Sequence, residues 1–127
     1  MKIKALLISG LAALLGCAPQ QTQNTTDTIL DPAEYVKALE ADSAACLIDV
    51  RRADEYAAGH LPGAILLDVT DSVGFSQGME KLDKGKNIYI YCRSGRRSRK
   101  AAQRLTEKGF NVTDMKGGYT AWEKIFK

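Results

Sequence analysis

The sequence predicts one α/β domain, built on a parallel central sheet of about five strands with helices on both faces. Three observations predict this fold. The chain has 127 residues, which is enough for one domain and too few for two. Hydrophobic residues make up 45% of the sequence and charged residues 26%, a balance that allows a globular core. Strand-like and helix-like segments alternate along the chain, as in parallel sheets covered by helices.

Two strand–helix units open the domain. The segment "TIL" predicts a short first strand, and Asp31 followed by Pro32 marks the start of a helix over residues 32–41. The segment "CLIDV" at 46–50 predicts a buried strand. The short helix "ADEYAAG" comes next and ends at Gly59, because glycine adopts the backbone conformation that terminates helices.

The second part of the domain repeats the same alternation. "AILLDV" predicts a strand, and a short helix is expected around residues 75–82, where the pattern is weak. "NIYIYC" is rich in β-branched and aromatic residues and predicts a strand. A helix over residues 98–109 has Ser98 near its start and Gly109 as its stop. "NVTDMK" predicts the last strand and "GYTAWEKIF" a closing helix.

The N-terminal segment predicts export. Residues 1–16 carry two lysines and then a short apolar run, the layout of a secretory signal peptide. The ending "LLGC" resembles the lipobox of bacterial lipoproteins, which implies cleavage before Cys17 and a lipid on that cysteine; ordinary cleavage after Ala18 is the alternative. Residues 17–27 then form a polar, flexible tether, and residues 28–127 form the domain.

The signal-peptide layout and the lipobox-like ending predict a membrane-anchored lipoprotein that faces the periplasm or the cell surface. Because Ala18 rather than aspartate follows Cys17, the outer membrane is favoured in a cell with two membranes. Loss of residues 1–16 removes two lysines and no acidic residue, so the formal charge of +3 becomes +1. This charge gives no support to nucleic-acid binding or to a general membrane-surface role.

The cysteine and histidine content argues against a disulfide-stapled fold, a metal site and a Cys–His catalytic pair. Three cysteines are too few for a disulfide-stapled fold, and no group of ligand-type residues has metal-binding spacing. Cys46 is expected to be a small buried strand residue. His60 is the only histidine, and its turn-like surroundings "AAGHLPGA" favour a capping or bridging role over a place in a Cys–His pair.

Cys92 is the candidate nucleophile. It falls at the carboxyl end of a central strand, the edge where parallel sheets bind ligands. Backbone N–H groups at the start of the next helix stabilise negative charge, so this position favours thiolate over thiol. The same cationic loop can hold an anionic substrate, and its residues are Arg93, Ser94, Gly95, Arg96 and Arg97.

Three motifs, in this order, resemble those of single-domain rhodaneses, a family of sulfurtransferases. "LIDVRRADEYAAGHLPGA" resembles the family's first motif, "YCRSGRRS" its active-site loop and "GGYTAW" its closing motif. The resemblance spans roughly residues 28–126. It implies that Arg51 and Glu55 are structural partners. Asp49 is expected to be a hydrogen-bonding structural residue, while Gly117 and Gly118 are expected to turn the chain with positive φ.

The resemblance implies double displacement without a metal or an organic cofactor. Cys92 takes the outer sulfur of thiosulfate or a similar anionic donor, becomes a persulfide, and passes the sulfur to cyanide or a thiol, which could belong to a thiol-redox protein. Backbone amides from Arg93 to Arg97 cradle the persulfide. The side chains of Arg93, Arg96 and Arg97 are candidates for the charge of the donor.

Three alternatives stay open at this stage. Phosphatases and arsenate reductases with a similar loop need five residues and then an arginine after the cysteine, whereas here Ser98 takes that place and the arginine comes one residue earlier, at Arg97. A non-catalytic sulfur carrier or interaction module is the second alternative. A thiol redox role is the third, with Cys46 as the available resolving cysteine.

Overall fold

The computed structural model describes residues 25–127. The expected signal peptide, the lipid on Cys17 and most of the tether lie outside this range. Within the range the chain forms five strands and five helices in strict alternation. In chain order they are β1 Asp27–Leu30, α1 Pro32–Ala41, β2 Ala45–Asp49, α2 Ala53–Ala58, β3 Ile65–Leu66, α3 Ser72–Glu80, β4 Asn87–Tyr91, α4 Arg96–Glu107, β5 Asn111–Met115 and α5 Gly118–Phe126.

The five strands form one parallel sheet, as the sequence predicts. Their order is β1-β5-β4-β2-β3, so β4 lies at the centre. The register aligns Asp49 with Tyr91 and Ile90 with Asp114. The ends of the three inner strands therefore meet at one edge, which is the edge where Cys92 follows β4.

Helices cover both faces, because alternate side chains of each strand point to opposite sides. In β4, Ile88 and Ile90 pack with α3 and α4, whereas Tyr89 and Tyr91 pack with α1 and α5. Cys92 continues the Ile88–Ile90 side and belongs to the core beneath α4. The position of the thiol is thus set by the strand's alternation.

Helix α1 starts at Pro32 as predicted, although the Asp31 side chain makes no capping hydrogen bond. Helix α3 starts at Ser72 instead of residue 75, because the Asp71 side chain accepts the N–H of Gly74 at 3.0 Å and caps the first turn. Asp71, a residue type typical of helix caps, lies four residues before the predicted start.

Strand β3 is shorter than predicted. The apolar run 64–69 forms only two residues of ladder with β2, at the edge of the sheet. The chain then turns, because the Asp68 carboxylate accepts both the N–H and the hydroxyl of Thr70.

Within residues 25–127, no helix has the length and apolar character needed to cross a bilayer.

Candidate active site

Helix α4 begins at Arg96, two residues before the predicted start. Gly95 precedes it in the left-handed region, with φ +101°, and this conformation lets the chain turn directly from strand to helix. The non-helical loop is therefore only Arg93–Gly95, and the remaining loop residues form the first helical turn. N–H groups in a first turn have no acceptor within the helix, so they remain available to a ligand.

The Cys92 sulfur lies against this helix start. The Gly95 N–H donates to Cys92 Sγ at 3.0 Å, and the thiol lies 3.5 Å from the Ser98 hydroxyl oxygen, within hydrogen-bond distance for sulfur. Cys92 is 1% exposed and Ser98 is fully buried. The sulfur thus has polar neighbours in a site that is almost completely shielded from solvent. Electrostatic interactions between such buried groups are strong.

Helix α5 braces the loop from the other side. The N–H of Tyr119 donates to the carbonyl of Cys92 at 2.8 Å, and the N–H of Thr120 donates to the carbonyl of Arg93 at 3.0 Å. Two loop carbonyls are therefore bound by the first turn of α5. The carbonyl groups of Cys92 and Arg93 therefore face α5, and the N–H groups of the loop remain for its other side.

The closing glycines make this contact possible. Gly117 and Gly118 have φ of +76° and +63°, as the sequence predicts. A Cβ on Gly118 would lie 2.5 Å from the carbonyl oxygen of Cys92 and 2.6 Å from that of Arg93, closer than real contacts allow. This close approach was not predicted, since the motif's glycines alone do not show which segment they approach.

Arg97 forms a bidentate ion pair with Glu55. Its Nη1 and Nη2 donate to Glu55 Oε1 and Oε2 at 2.7 and 2.9 Å. This hydrogen bonding lowers the pKa of Glu55 to about 2 and raises that of Arg97. The Glu55 carboxylate also accepts the N–H of Arg52 and thereby caps the start of α2. The Glu55–Arg97 pair joins α2 to the start of α4. Arg97 therefore has most of its charge matched within the protein.

The expected partnership of Arg51 with Glu55 is wrong, because each has a different partner. Arg51 donates to Asp49 through Nε at 2.9 Å and Nη2 at 2.7 Å, and to the carbonyl of Gly59. Asp49 is fully buried and also accepts the Tyr91 hydroxyl at 2.8 Å. Asp49 is thus a hydrogen-bonding structural residue, as the sequence predicts.

The buried Asp49–Arg51 pair lies against Tyr91, the residue before Cys92. Desolvation, together with the neighbouring Asp49 charge, raises the pKa of Tyr91, so this phenol stays protonated. Tyr91 also accepts the N–H of Leu61 at 3.0 Å. The hydroxyl of Tyr91, the residue before Cys92, therefore both donates and accepts a hydrogen bond. These bonds hold the end of β4, from which Cys92 follows.

Arg93 and Arg96 are the arginines left free near the sulfur. Both are exposed, and within residues 25–127 neither has a carboxylate at ion-pair distance. Ser94 is exposed and Gly95 half-buried. Of the three predicted donor-binding arginines, the structure thus leaves two unpaired.

His60 and Cys46 lie apart from this arrangement. The His60 ring stacks on Tyr56 with centroids 3.7 Å apart, and its Nδ1 lies 2.8 Å from the Tyr56 carbonyl, which fits the predicted capping role. Cys46 is half-buried rather than fully buried, and burial raises the pKa of its thiol. The part of the chain that the structure describes holds no cluster of metal-ligating side chains.

A disulfide between Cys46 and Cys92 does not fit this fold. Cys46 is aligned with Ile88 in the neighbouring strand, and Cys92 lies four residues further on. At about 3.3 Å per residue this separates the two positions by roughly 13 Å. A disulfide needs Cα atoms within about 7 Å. The intramolecular redox alternative therefore loses its resolving thiol.

Comparison with known proteins gives a consistent result. The family model described as "Rhodanese-like domain" matches residues 31–125. The protein named "Putative sulfurtransferase YtwF" of Bacillus subtilis is 41% identical over 85 residues, which cover 67% of this chain and 80% of that protein. A thiosulfate sulfurtransferase, GlpE of Pseudoalteromonas translucida, is 40% identical over 81 residues, 63% of this chain and 74% of the relative.

Solved structures agree at the level of the fold. A rhodanese-like domain protein from Staphylococcus aureus superposes with a TM-score of 0.65 at 26% identity, over 77% of this chain and 91% of that one. The superposed part, 77% of this chain, is far longer than any single motif.

Proposed function

The chain belongs to the rhodanese-like domain family, and on that premise we propose that it transfers sulfane sulfur from thiosulfate, or a similar anionic donor, to a thiophilic acceptor through a persulfide on Cys92. The observation that carries this proposal is the position of Cys92 Sγ. It lies at the start of α4, 3.0 Å from the Gly95 N–H, in a loop whose free side chains are cationic.

In the first step the Cys92 thiolate attacks the outer sulfur of thiosulfate. A Cys92 Sγ–S bond forms, the S–S bond of the donor breaks, and its electron pair leaves with sulfite. Arg93 and Arg96 hold the charge of the donor and of the departing sulfite. The negative charge on the new terminal sulfur stays beside the N–H groups of the helix start, which stabilise it.

In the second step the acceptor takes the terminal sulfur. A cyanide ion or a thiolate bonds to it, the S–S bond of the persulfide breaks, and its electron pair returns to Cys92 as thiolate. No general base is required, because the thiolate is both the attacking and the leaving group. The near-complete burial of Cys92 protects the persulfide from water between the two steps.

The test is direct detection of the intermediate. Incubation of the protein with thiosulfate should add the mass of one sulfur atom and release one equivalent of sulfite, and cyanide should then discharge it as thiocyanate. Cys92→Ser should abolish both steps, because an alcohol at this position is a far weaker nucleophile. Intact-protein mass spectrometry and a sulfite assay measure the result.

Cys46→Ser is the matched control, because it removes the other thiol of the described domain and should leave both steps unchanged. If Cys92→Ser still turned over, or if no sulfur were added to the unmodified protein, the assignment would be wrong. Tight binding of a partner without any persulfide would instead support the non-catalytic module. Phosphatase activity would require the longer loop, which this chain lacks.

We also propose that the chain is exported and anchored through a lipid on Cys17, with its domain facing the periplasm or the cell surface. The support is the sequence of residues 1–17 alone. Cells given a labelled fatty acid should incorporate it into this protein, and Cys17→Ala should prevent incorporation. A labelled Cys17→Ala protein, or an unlabelled unmodified one, would contradict the anchor.

A further inference from the structure

A buried carboxyl group lies beneath α4 and has no part in the two steps of sulfur transfer. It belongs to Asp114, near the end of β5, and is 2% exposed. Its Oδ2 accepts Nε–H of Arg99, on α4, at 2.8 Å. Its Oδ1 is buried and has no full hydrogen bond with any group in residues 25–127. A buried carboxyl oxygen without a partner is costly, so its presence here calls for an explanation.

The Ser98 hydroxyl connects this carboxyl group to Cys92. Ser98 lies in the first turn of α4, is fully buried, and has its hydroxyl oxygen 3.5 Å from Cys92 Sγ. The same hydroxyl is close enough to the Asp114 carboxylate to lower its pKa. Ser98 therefore lies between a thiol and a carboxyl group, and all three side chains are almost completely shielded from solvent.

The Ser98 hydroxyl carries one proton, so it can donate to Cys92 or to Asp114 but not to both at once. When Cys92 is a thiol, its S–H donates to the Ser98 oxygen, and the Ser98 proton is available to the Asp114 carboxylate. When Cys92 is a thiolate, Ser98 must donate to the sulfur, and a protonated Asp114 can donate to the Ser98 oxygen in return. The thiolate of Cys92 is therefore matched to the neutral form of Asp114.

The surroundings of Asp114 allow both of its forms. Burial raises the pKa of this carboxyl group, and the hydrogen bonds that it receives oppose the rise. The charge of Asp27, on β1, adds to the rise, while Asp27 also accepts two hydrogen bonds from Arg99, at 2.7 and 3.1 Å. Lys116 lines the same cleft as Asp114, and Tyr35, on α1, faces it as a phenol whose pKa is raised by burial.

The neighbours of the sulfur keep a constant charge during such an exchange. The charged side chains near Cys92 come from the loop, from α2 and from the segment after β3: Arg93, Arg96, Arg97, Glu55 and Asp68. Arginine stays protonated in proteins, and the hydrogen bonds of Arg97 hold the pKa of Glu55 at about 2. Asp114 differs from these neighbours, because it is buried and a hydroxyl group links it to the sulfur.

We propose that Asp114 is a positioning residue for Cys92, with which it shares one proton through the Ser98 hydroxyl. As the thiolate forms, the S–H bond of Cys92 breaks and its electron pair stays on sulfur. The proton passes to the Ser98 oxygen, and the proton that Ser98 carried passes to Asp114 Oδ1. The reverse exchange restores the thiol and the carboxylate.

This inference rests on the proposed function, since it concerns the nucleophile of the first step. Sulfur transfer itself moves no proton, but the resting thiol must lose one before it attacks. The carboxyl group of Asp114 thereby sets the fraction of Cys92 that is ready to react. At a pH where Asp114 is ionised, its carboxylate competes with the sulfur for the Ser98 proton and restrains the nucleophile.

The test follows alkylation of Cys92 by iodoacetamide at a series of pH values, in the full chain in a neutral detergent. Iodoacetamide is uncharged, so its rate reports the thiolate, and peptide mass spectrometry separates Cys92 from the other cysteines. The rate should rise in two steps, because interacting groups titrate as a pair. Asp114→Asn should give one step and react roughly three- to tenfold faster between the two, since its amide donates to Ser98 and never competes for its proton.

Ser98→Ala removes the link, so Asp114→Asn in that background should change the rate by less than about twofold. Asp27→Asn is the matched control, because it removes the other carboxylate bound to Arg99 and should keep the two-step profile. A role of Asp114 that was merely structural would act through Arg99 and would make the two aspartate variants behave alike. That outcome would overturn the inference, as would equal effects of Asp114→Asn with and without Ser98.

An NMR titration of the unmodified chain with labelled aspartate carboxyl groups does not depend on any variant. The Asp114 resonance should shift in both steps, and alkylation of Cys92 should leave it with one. An Asp114 resonance that did not respond to alkylation would contradict the shared proton. Absence of a persulfide after treatment with thiosulfate, beside a two-step alkylation profile, would count against the proposed function alone.

Discussion

Glu55 determines how Arg97 is placed at the start of α4. Arg97 donates two hydrogen bonds to Glu55 across 42 residues of sequence, and the Glu55 side chain is only 16% exposed. The pair joins α2 to the loop that carries the candidate nucleophile. Arg97, which the sequence suggests as a donor-binding residue, is therefore part of the scaffold, and Arg93 and Arg96 remain the candidates for the charge of the donor.

Glu55→Gln should lower the free energy of unfolding by roughly 1–2 kcal/mol at pH 7, after allowance for partial solvent screening. The Arg97 hydrogen bonds lower the pKa of Glu55 from 4.5 to about 2, so the carboxylate is favoured in the folded state. Its contribution is complete above about pH 4.5 and is lost as the pH falls toward 2. Urea unfolding at several pH values measures the difference between the two proteins.

That difference should shrink between pH 4.5 and 2, because protonation of Glu55 abolishes the ion pair in the unmodified protein. Glu80→Gln is a suitable control, since Glu80 is exposed and has no ion pair in the described part of the chain. A difference that stayed constant across this pH range would show that the ion pair does not contribute in this way.

At the scale of elements, the first turn of α5 supports the loop after Cys92 through two backbone hydrogen bonds. Gly118 is the residue that permits their approach, because a side chain there would collide with the carbonyls of Cys92 and Arg93. The closing motif is thus coupled to the sulfur site through main-chain geometry. Its aromatic residues serve packing instead, with Tyr119 stacked between Tyr91 and Trp122.

Gly118→Ala should destabilise the fold by about 2–4 kcal/mol, from left-handed backbone strain and from the backbone collision together. Persulfide formation should also slow, because the loop carbonyls must move. Unfolding by urea and the rate of sulfite release measure the two effects.

Gly63→Ala separates these two causes. Gly63 also has a positive φ, +82°, but a Cβ there would meet nothing within 4 Å. Its substitution should cost only about 1 kcal/mol of conformational strain and leave sulfite release intact. Similar losses in both variants would mean that strain, and not the contact with the loop, explains the Gly118 result.

At the scale of the whole molecule, the parallel sheet and most of its elements followed from the sequence. The β-branched and aromatic strands alternate with helices that have clear starts and stops, and this local pattern also placed Cys92 at a strand end. The start of α4 was predicted two residues late, because the turn depends on the left-handed backbone of Gly95 rather than on a side-chain cap.

Pairings between distant residues could not be predicted in the same way. Several arginines lie close together around Cys92, and nothing in their local pattern tells which of them meets Glu55. The length of β3 also depends on the rest of the sheet, since an edge strand has only one neighbour to pair with. Such features depend on tertiary contacts, which local propensity does not encode.

Because all five strands run in the same direction, the edge formed by their amino ends has different surroundings from the edge formed by their carboxyl ends. The chain enters the domain at the amino end of β1, and Cys92 lies at the carboxyl edge. With the proposed lipid on Cys17, the flexible tether would join the domain at the edge of the sheet opposite to the one that carries Cys92. Donor and acceptor would then meet the sulfur from the aqueous compartment, without crossing the lipid headgroups.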